Sequence, residues 1–247
     1  MNLSRVLIVD LETSALEPEN GQVLEAAGVL FDVPHAEVIE ARSMVVYATR
    51  NPCASINGLA PSFLRSIPRR TIANDDAEEE FAAFDMLYDM SKHADAFVAH
   101  RASFEMKWLP RRITDRLPFI CTKFGCDWPR GRFGDHLAHL AVAHGVPVTG
   151  AHRALGDCML IAGVMRAANE HWASHHRNEA GTRAWEVRAL PAILEQAIER
   201  GAGDPPRCSH GAELAEPHQC PNYVRTYQRS PLLRRCPQHG GSAGWVS

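Results

Sequence analysis

The chain has 247 residues, of which 45% are hydrophobic and 22% charged, a balance typical of a soluble globular protein. Its formal charge of −3 gives no overall basic character, so net charge does not indicate nucleic-acid binding, although a local basic surface stays compatible with it. No apolar run approaches the roughly 18 residues of a membrane span, and the N-terminal residues do not form a secretory signal pattern. We therefore expect a cytoplasmic protein whose seven cysteines are reduced thiols or metal ligands.

Three strands are predicted at the start of the chain. Residues 6–9 are apolar and rich in β-branched side chains, which predicts a short buried strand. The turn signal Asn20-Gly21 precedes a second apolar run, residues 23–31, which predicts a strand hairpinned to the first. Residues 38–47 predict a third strand, and the economical arrangement of the three is an antiparallel meander.

Helices predominate after the meander. The predicted helices cover residues 62–67, 76–92, 102–112, 121–126, 135–143, 151–171 and 183–200, and a fourth strand covers residues 96–99. Phe81, Phe84 and Leu87 recur at helical spacing, which predicts that they share one apolar face, and Pro191 predicts a kink or break in the last helix. Strands followed by alternating strand and helix predict an α/β protein with a mixed sheet.

Acidic side chains fall where the predicted elements begin or end. Asp10 and Glu12 follow the first strand, and they point to one face because strand side chains alternate. Glu105 lies in the helix after the fourth strand, Asp157 lies in the first turns of the long helix, and His152 lies in the loop before it. Side chains at element ends can converge on one pocket.

Four carboxylates in one pocket would resist ionisation unless positive charge were close by. Two divalent cations supply that charge, because hard cations prefer oxygen ligands and paired cations assist phosphoryl transfer. A neighbouring histidine can take a proton from an attacking water. These residues therefore predict a metal-dependent phosphoryl-transfer site.

Three segments resemble the motifs of the DnaQ-like (DEDDh) 3′→5′ exonucleases, a branch of the ribonuclease H-like superfamily. The family pattern D-x-E-T matches residues 10–13 (DLET), H-N-x-x-F-D resembles residues 100–105 (HRASFE), and H-x-A-x-x-D matches residues 152–157 (HRALGD). Their order and spacing agree across about residues 5–170. The resemblance implies a ribonuclease H-like mixed β-sheet flanked by helices, and an enzyme that releases nucleoside 5′-monophosphates from a DNA or RNA 3′ end.

The resemblance also implies a role for each matching residue. The ligands of two Mg²⁺ or Mn²⁺ ions would be Asp10, Glu12, Glu105 and Asp157. His152 would be the general base. The candidate substrate contacts are Leu11, Thr13, Arg101 and Phe104.

Two residues of the second motif depart from the family pattern. The family's Asp is Glu105 here, which keeps a carboxylate on a longer side chain, and its Asn is Arg101, a candidate phosphate contact. Glu105 leaves a second interpretation open, a catalytically lapsed exonuclease fold that acts as a nucleic-acid-binding or scaffold protein. The other four motif residues favour an enzyme. A third interpretation is an accessory proofreading subunit whose tail binds a polymerase or another replication or repair partner.

Some residues beside the motifs have a structural interpretation. We expect His100 to have a structural role rather than to act as a base. Glu25 is expected to form hydrogen bonds at the edge of the pocket rather than to bind a metal. Phe104 and Trp108 are expected to pack inward.

The composition changes after the Gly- and Pro-rich residues 201–206. One structural Zn²⁺ needs four N or S ligands, and the candidates are Cys208, Cys220, Cys236 and His239, with His210 or His218 as alternatives for one of them. The alternative to a zinc site is a flexible tail with incidental cysteines. The predicted division is an exonuclease domain (1–175), a helical extension and linker (176–203) and a small Cys/His-rich C-terminal appendage (204–247).

Overall fold

The computed structural model describes residues 3–69, 76–130, 136–150, 152–175 and 189–201. The predicted appendage lies outside the described residues, and so do its candidate zinc ligands Cys208, Cys220, Cys236 and His239. Residues 176–188 of the predicted linker also lie outside them. Among the helices described, none combines the length and the apolar character that crossing a membrane requires.

The described strands are β1 (Arg5–Thr13), β2 (Val23–Asp32), β3 (Glu37–Val45), β4 (Ala96–Ala99) and β5 (Phe119–Cys121). They form one mixed sheet in the order β3-β2-β1-β4-β5. The first three strands form the predicted antiparallel meander, whereas β4 pairs in parallel with both β1 and β5.

The helices are α1 (Ala54–Asn57), α2 (Pro61–Ser66), α3 (Asp76–Ser91), α4 (Ala102–Trp108), α5 (Arg111–Thr114), α6 (Leu137–Ala143), α7 (Ala154–His175) and α8 (Ala189–Arg200). The prediction of a single helix over residues 102–112 is wrong. Pro110 has no N–H to donate and disfavours a helical residue before it, so Leu109 is extended with ψ 136° and the chain restarts as α5.

Two further helix predictions fail. The helix predicted over residues 121–126 is wrong, because Phe119–Cys121 pair with β4 as a strand and a turn follows them. Phe81 does not join the apolar face of α3, since it is 53% exposed. That face consists of residues such as Ala83, Leu87 and Met90, which are buried.

Each face of the sheet is covered by helices. Val6 and Ile8 of β1 belong to a buried cluster with residues of α6, α7 and α8, whereas Leu7 and Val9 belong to a second cluster with residues of α3, α4 and α5. This division follows from the alternation of side chains along a strand. Each fully buried aliphatic side chain contributes about 1.5–3 kcal/mol, so β1, with buried side chains on both faces, is firmly anchored beneath a site.

Candidate active site

The last residues of β1 carry two acids on one face. Asp10 and Glu12 continue the face of Val6 and Ile8, which is the side covered by α7. They lie within the strand rather than after it, because the strand extends to Thr13, and they stand opposite Ala27 and Glu25 of β2. Ladder pairing on β1 therefore fixes the backbone beneath both carboxylates.

Helix α7 brings a third acid to the same place. Asp157 lies in its first turn, as predicted, and the thiol of the next residue, Cys158, packs 3.7 Å from the carbonyl oxygens of Ile8 and Ala27. The start of α7 thus lies across β1 and β2. One carboxylate oxygen from each of Asp10, Glu12 and Asp157 lies within 4.8 Å of the other two.

Burial and mutual repulsion raise the pKa values of these carboxyls. Burial, then the charges of Asp157 and Glu25, raises the pKa of Glu12 to about 7. Burial also raises the pKa of Asp157, opposed by the charge and the backbone N–H of His152. Because the ionised form of each acid is disfavoured as the protein stands, a bound cation would lower the energy of the site.

Glu105 contributes a fourth carboxylate from α4, and it is only 3% exposed. Burial raises the pKa of Asp10 well above its usual range, and among neighbouring charges that of Glu105 is the largest cause. In the described part of the chain, however, the group of carboxylates that meet within 4.8 Å does not include Glu105. The structure therefore brings Glu105 near Asp10 but leaves it outside the closest group.

His152 lies two residues before the start of α7. Its side chain is exposed, and its backbone has φ 61°, in the left-handed region that costs a non-glycine residue roughly 1–2 kcal/mol. Strained residues of this kind concentrate at functional sites, where the surrounding contacts hold them in place. Arg101, directly before α4, is also exposed and has φ 72°.

The predicted substrate contacts differ in exposure. Leu11 is 4% exposed and packs in the cluster on the α3 side of the sheet, and Phe104 packs against the same cluster, its ring 6.3 Å from that of Trp108. Thr13 is 8% exposed and donates its hydroxyl hydrogen to the carbonyl of Ala15 at 2.6 Å. Arg101 is the exposed member of this set.

Beside the carboxylates lies an ion pair of which the sequence analysis predicted only one partner. Glu25, which is 2% exposed, accepts hydrogen bonds from Arg153 Nε at 2.8 Å and Nη2 at 3.1 Å, and from the backbone N–H of Ala154 at 3.2 Å. Glu25 was predicted as a hydrogen-bond acceptor at the pocket edge, but Arg153 was not predicted as its partner. The two residues are 128 positions apart, and no local pattern links them.

A second missed feature ties the segment after β3 to the end of β1. The buried side chain of Asn51 donates to Asn57 Oδ1 and to the carbonyl of Leu59, each at 2.8 Å, while Asn57 donates to the carbonyl of Thr13 at 3.3 Å. The sequence predicted only irregular structure here, because asparagine is common in turns and its presence does not indicate a buried hydrogen-bond network. These contacts fix the chain where it leaves β1 beside the acids.

Comparison with known proteins supports the fold. No protein-family model and no curated protein matches the chain. Among solved structures, it is similar to E. coli exonuclease I in complex with a dT13 oligonucleotide, with 15% identity and a TM-score of 0.51 over 72% of this chain and 45% of that one. It is also similar to a 3′-exonuclease described in 3′-end-specific recognition of a histone mRNA stem-loop, with 15% identity and a TM-score of 0.50 over 69% of this chain and 84% of that one.

A third solved structure, exonuclease X in complex with 5′-overhanging duplex DNA, has 21% identity and a TM-score of 0.47 over 75% of this chain and 99% of that one. The chain spans less than half of exonuclease I, so the likeness to that protein concerns one part of it. At 15% identity, likeness is informative about fold. The mixed sheet flanked by helices, in the observed strand order, therefore has the ribonuclease H-like fold of the DnaQ-like 3′-exonucleases.

Proposed function

We propose that this protein is a metal-dependent 3′→5′ exonuclease that releases nucleoside 5′-monophosphates from DNA or RNA. The observation that carries the proposal is the meeting of Asp10, Glu12 and Asp157 within 4.8 Å at the junction of β1 and α7. The fold that this chain shares with solved exonuclease structures supports the proposal. Because a fold does not by itself imply a function, the function must be inferred from the residues of the site.

The residues present fit a divalent metal centre. The oxygen donors are hard ligands of the kind that Mg²⁺ and Mn²⁺ prefer. The pKa values of Asp10, Glu12 and Asp157 are raised first by burial and then by neighbouring negative charge, and both causes favour a bound cation. We infer that two ions would be held by Asp10, Glu12, Glu105 and Asp157. Bound divalent cations stabilise the charge that develops on phosphoryl oxygens during displacement.

In this proposal His152 acts as the general base. Its imidazole is exposed, so a substrate can reach it, and its charge acts on the Asp157 carboxyl, so it lies beside the acids. It would accept a proton from the water that attacks the terminal phosphodiester, a role in which histidine is the commonest side chain.

Substrate binding would use both exposed and packed residues. The guanidinium of Arg101, exposed before α4, is the proposed phosphate contact, since arginine commonly binds phosphate oxygens. Leu11, Thr13 and Phe104 would flank the terminal nucleotide. A polymerase or another replication or repair protein as partner, and one Zn²⁺ on Cys208, Cys220, Cys236 and His239, stay separate proposals.

Digestion of single-stranded DNA and RNA oligonucleotides labelled at the 3′ or the 5′ end tests the function. We expect Mg²⁺ or Mn²⁺ to support mononucleotide release from the 3′ end, so that a 5′ label yields a ladder and a 3′ label yields mononucleotide at once. EDTA should stop both reactions. Binding without hydrolysis in either metal would instead support the lapsed, nucleic-acid-binding alternative.

A further inference from the structure

The β1–β2 ladder pairs two glutamates directly. Glu12 and Glu25 are register partners, and both point to the face covered by α7. Like charges placed opposite one another destabilise a sheet unless something compensates for them. For Glu25 the compensation is visible, because Arg153 donates two hydrogen bonds to its two carboxylate oxygens.

Glu25 also caps the N-terminus of α7, the helix that carries Asp157. Ala154 is the first residue of α7, so its N–H belongs to the first turn, whose amide donors have no partner inside the helix. Glu25 Oε2 accepts that N–H at 3.2 Å and thereby caps the helix from another element, and a negative charge at a helix N-terminus is electrostatically favourable. The helix start is thus fixed to β2 rather than to its own loop alone.

The other side of His152 is held by a close backbone contact. A Cβ built on Gly156 would lie 2.1 Å from the carbonyl oxygen of Gly150, so that carbonyl rests directly on the first turn of α7. Gly150 itself has φ 70°, a conformation suited to glycine. His152, with φ 61°, therefore lies between two contacts, the Gly150 carbonyl on one side and the Arg153–Glu25 ion pair on the other.

We propose that Glu25 and Arg153 are positioning residues: their ion pair, together with the Glu25 cap on Ala154, orients His152 and Asp157 relative to the acids of β1. This inference rests on the proposed function. Arg153 donates hydrogen bonds from Nε and Nη2 to Glu25, although 45% of its side chain is exposed. The main contact of its guanidinium is therefore with the protein rather than with a ligand. Neither residue needs to touch substrate in order to matter for turnover.

The test uses Glu25→Gln, which preserves shape and removes charge, and Arg153→Lys, which keeps charge but loses the two-point geometry. We expect kcat to fall about 10- to 100-fold in Glu25→Gln, with KM within about threefold, because small misplacement of a catalytic group costs up to about 10²-fold. Arg153→Lys should fall less. The matched control is Arg166→Met, which removes an α7 arginine that donates a hydrogen bond to the Ala36 carbonyl, in the turn between β2 and β3.

A second-background experiment separates positioning from general structural damage. In His152→Ala protein, adding Glu25→Gln should lower kcat by a clearly smaller factor than it does in wild type, because one of the two positioned groups is already gone. Full multiplication of the two losses would overturn the proposal. A rise in KM confined to the Arg153 variant would also overturn it, since that result assigns the guanidinium to phosphate binding.

Amide hydrogen exchange in metal-free protein supplies a readout that does not need activity. We expect residues 152–160 to exchange faster in Glu25→Gln than in wild type and to be unchanged in Arg166→Met, because a helix start whose cap loses its negative charge opens more often. Unchanged exchange in Glu25→Gln contradicts the proposal even if wild type is inert. Inert wild type with faster exchange in the variant would overturn the catalytic consequence and, separately, the proposed function.

Discussion

Two glutamates that face each other across β1 and β2 meet opposite electrostatic conditions. Glu25 is almost fully buried, and Arg153 and the N-terminus of α7 neutralise it. Glu12 is half-buried, and burial with the charges of Asp157 and Glu25 raises its pKa to about 7, even though Arg153 opposes the shift. Within the described ranges, Glu12 has no ion pair of its own.

The difference shows how this protein divides the work of neutralising its acids. It provides a cation from its own chain where the charge is needed to hold the fold, at Glu25. At Asp10, Glu12 and Asp157, whose carboxylates meet within 4.8 Å, the described residues form no ion pair, although the charges of Arg153 and His152 partly oppose the raised pKa values of Glu12 and Asp157. A cluster of titratable groups that the chain leaves destabilised is where a charged ligand gains most by binding. Each prediction below perturbs one side of this comparison.

The largest expected effect comes from Asp10→Asn, which removes one charge from the uncompensated side. Activity should fall by about 10⁴-fold or more, as happens when a central member of a catalytic group is lost. Metal-free protein should nevertheless become more stable at alkaline pH, because burial and the charge of Glu105 penalise ionised Asp10. Kinetic assays and thermal unfolding with and without Mg²⁺ check this. Asp89→Asn, at an exposed ion pair on α3, is the control and should change neither markedly; a destabilised metal-free Asp10→Asn protein would contradict the comparison.

His152→Ala should lower kcat by about 10²- to 10⁴-fold, the range that general-base catalysis typically contributes. Metal binding should change little, because the carboxylates are untouched. Single-turnover kinetics and calorimetric titration with Mn²⁺ separate the two effects. His35→Ala is the matched control, since it removes an exposed histidine bound to Asp32 in the turn after β2. Full activity in His152→Ala would remove His152 from the mechanism.

Gly156→Ala should displace the loop that Glu25 holds. The new Cβ would lie 2.1 Å from a backbone oxygen, so the loop or the helix must shift, and the resulting strain should cost about 1–3 kcal/mol of folding stability. We expect kcat to fall about 10- to 100-fold with it. Gly163→Ala on the same helix meets Val146 at 2.8 Å, away from the acids, and should lose stability without a comparable loss of kcat. Equal losses of kcat in both variants would point to global damage.

Periodicity and turn signals predicted much of the fold. The limits of β4 were predicted as Ala96–Ala99, and the meander followed from apolar runs separated by Asn20-Gly21. The convergence of Asp10, Glu12 and Asp157 followed from their positions near element ends, and the fold class is confirmed. These features depend on local patterns, which a sequence displays directly.

What the sequence did not predict depends on contacts between distant residues. β5 is three residues long, and it is a strand because Phe119, Ile120 and Cys121 pair with β4, which no local pattern reveals. The partner of Glu25 is 128 residues away. Phe81 fits the helical spacing but lies at the edge of the buried face, where the packing of α3 on the sheet decides exposure. Only the break at Pro110 could have been predicted from local chemistry.

Titration should separate the two glutamates. In metal-free protein the pKa of Glu12, about 7, lies above the ordinary 4.5, so the folded state binds more protons than the unfolded state between those values. This contribution to stability is therefore present at low pH and lost as pH rises through 7. A metal must displace the proton, so apparent Mn²⁺ affinity should fall about tenfold per pH unit below 7. Calorimetry in two buffers of different ionisation enthalpy measures the proton release. The release should decrease in Glu12→Gln and stay unchanged in Glu25→Gln; an unchanged release in Glu12→Gln would assign the protons to other groups, such as the Asp10 carboxyl, whose pKa is also raised.

The smallest effect is expected from Glu105→Asp, at the fourth carboxylate, which is buried near Asp10 but outside the closest group. Glu105→Asp restores the residue of the family pattern while removing one methylene, which is worth about 0.8 kcal/mol of burial. The shorter side chain sits in a site shaped for Glu, so gain and loss of reach offset each other. Activity should stay within about tenfold of wild type in either direction, equivalent to about 1.4 kcal/mol in the barrier.

Glu105→Ala, in contrast, should be nearly inactive, because a charge and a candidate ligand are lost together. Turnover of a labelled single strand by wild type and both variants in Mg²⁺ and Mn²⁺ checks this, with the exposed Glu17→Asp as the control. If wild type is inert in both metals while Glu105→Asp degrades the strand, the native protein is a lapsed exonuclease, and its uncompensated carboxylates serve binding rather than hydrolysis.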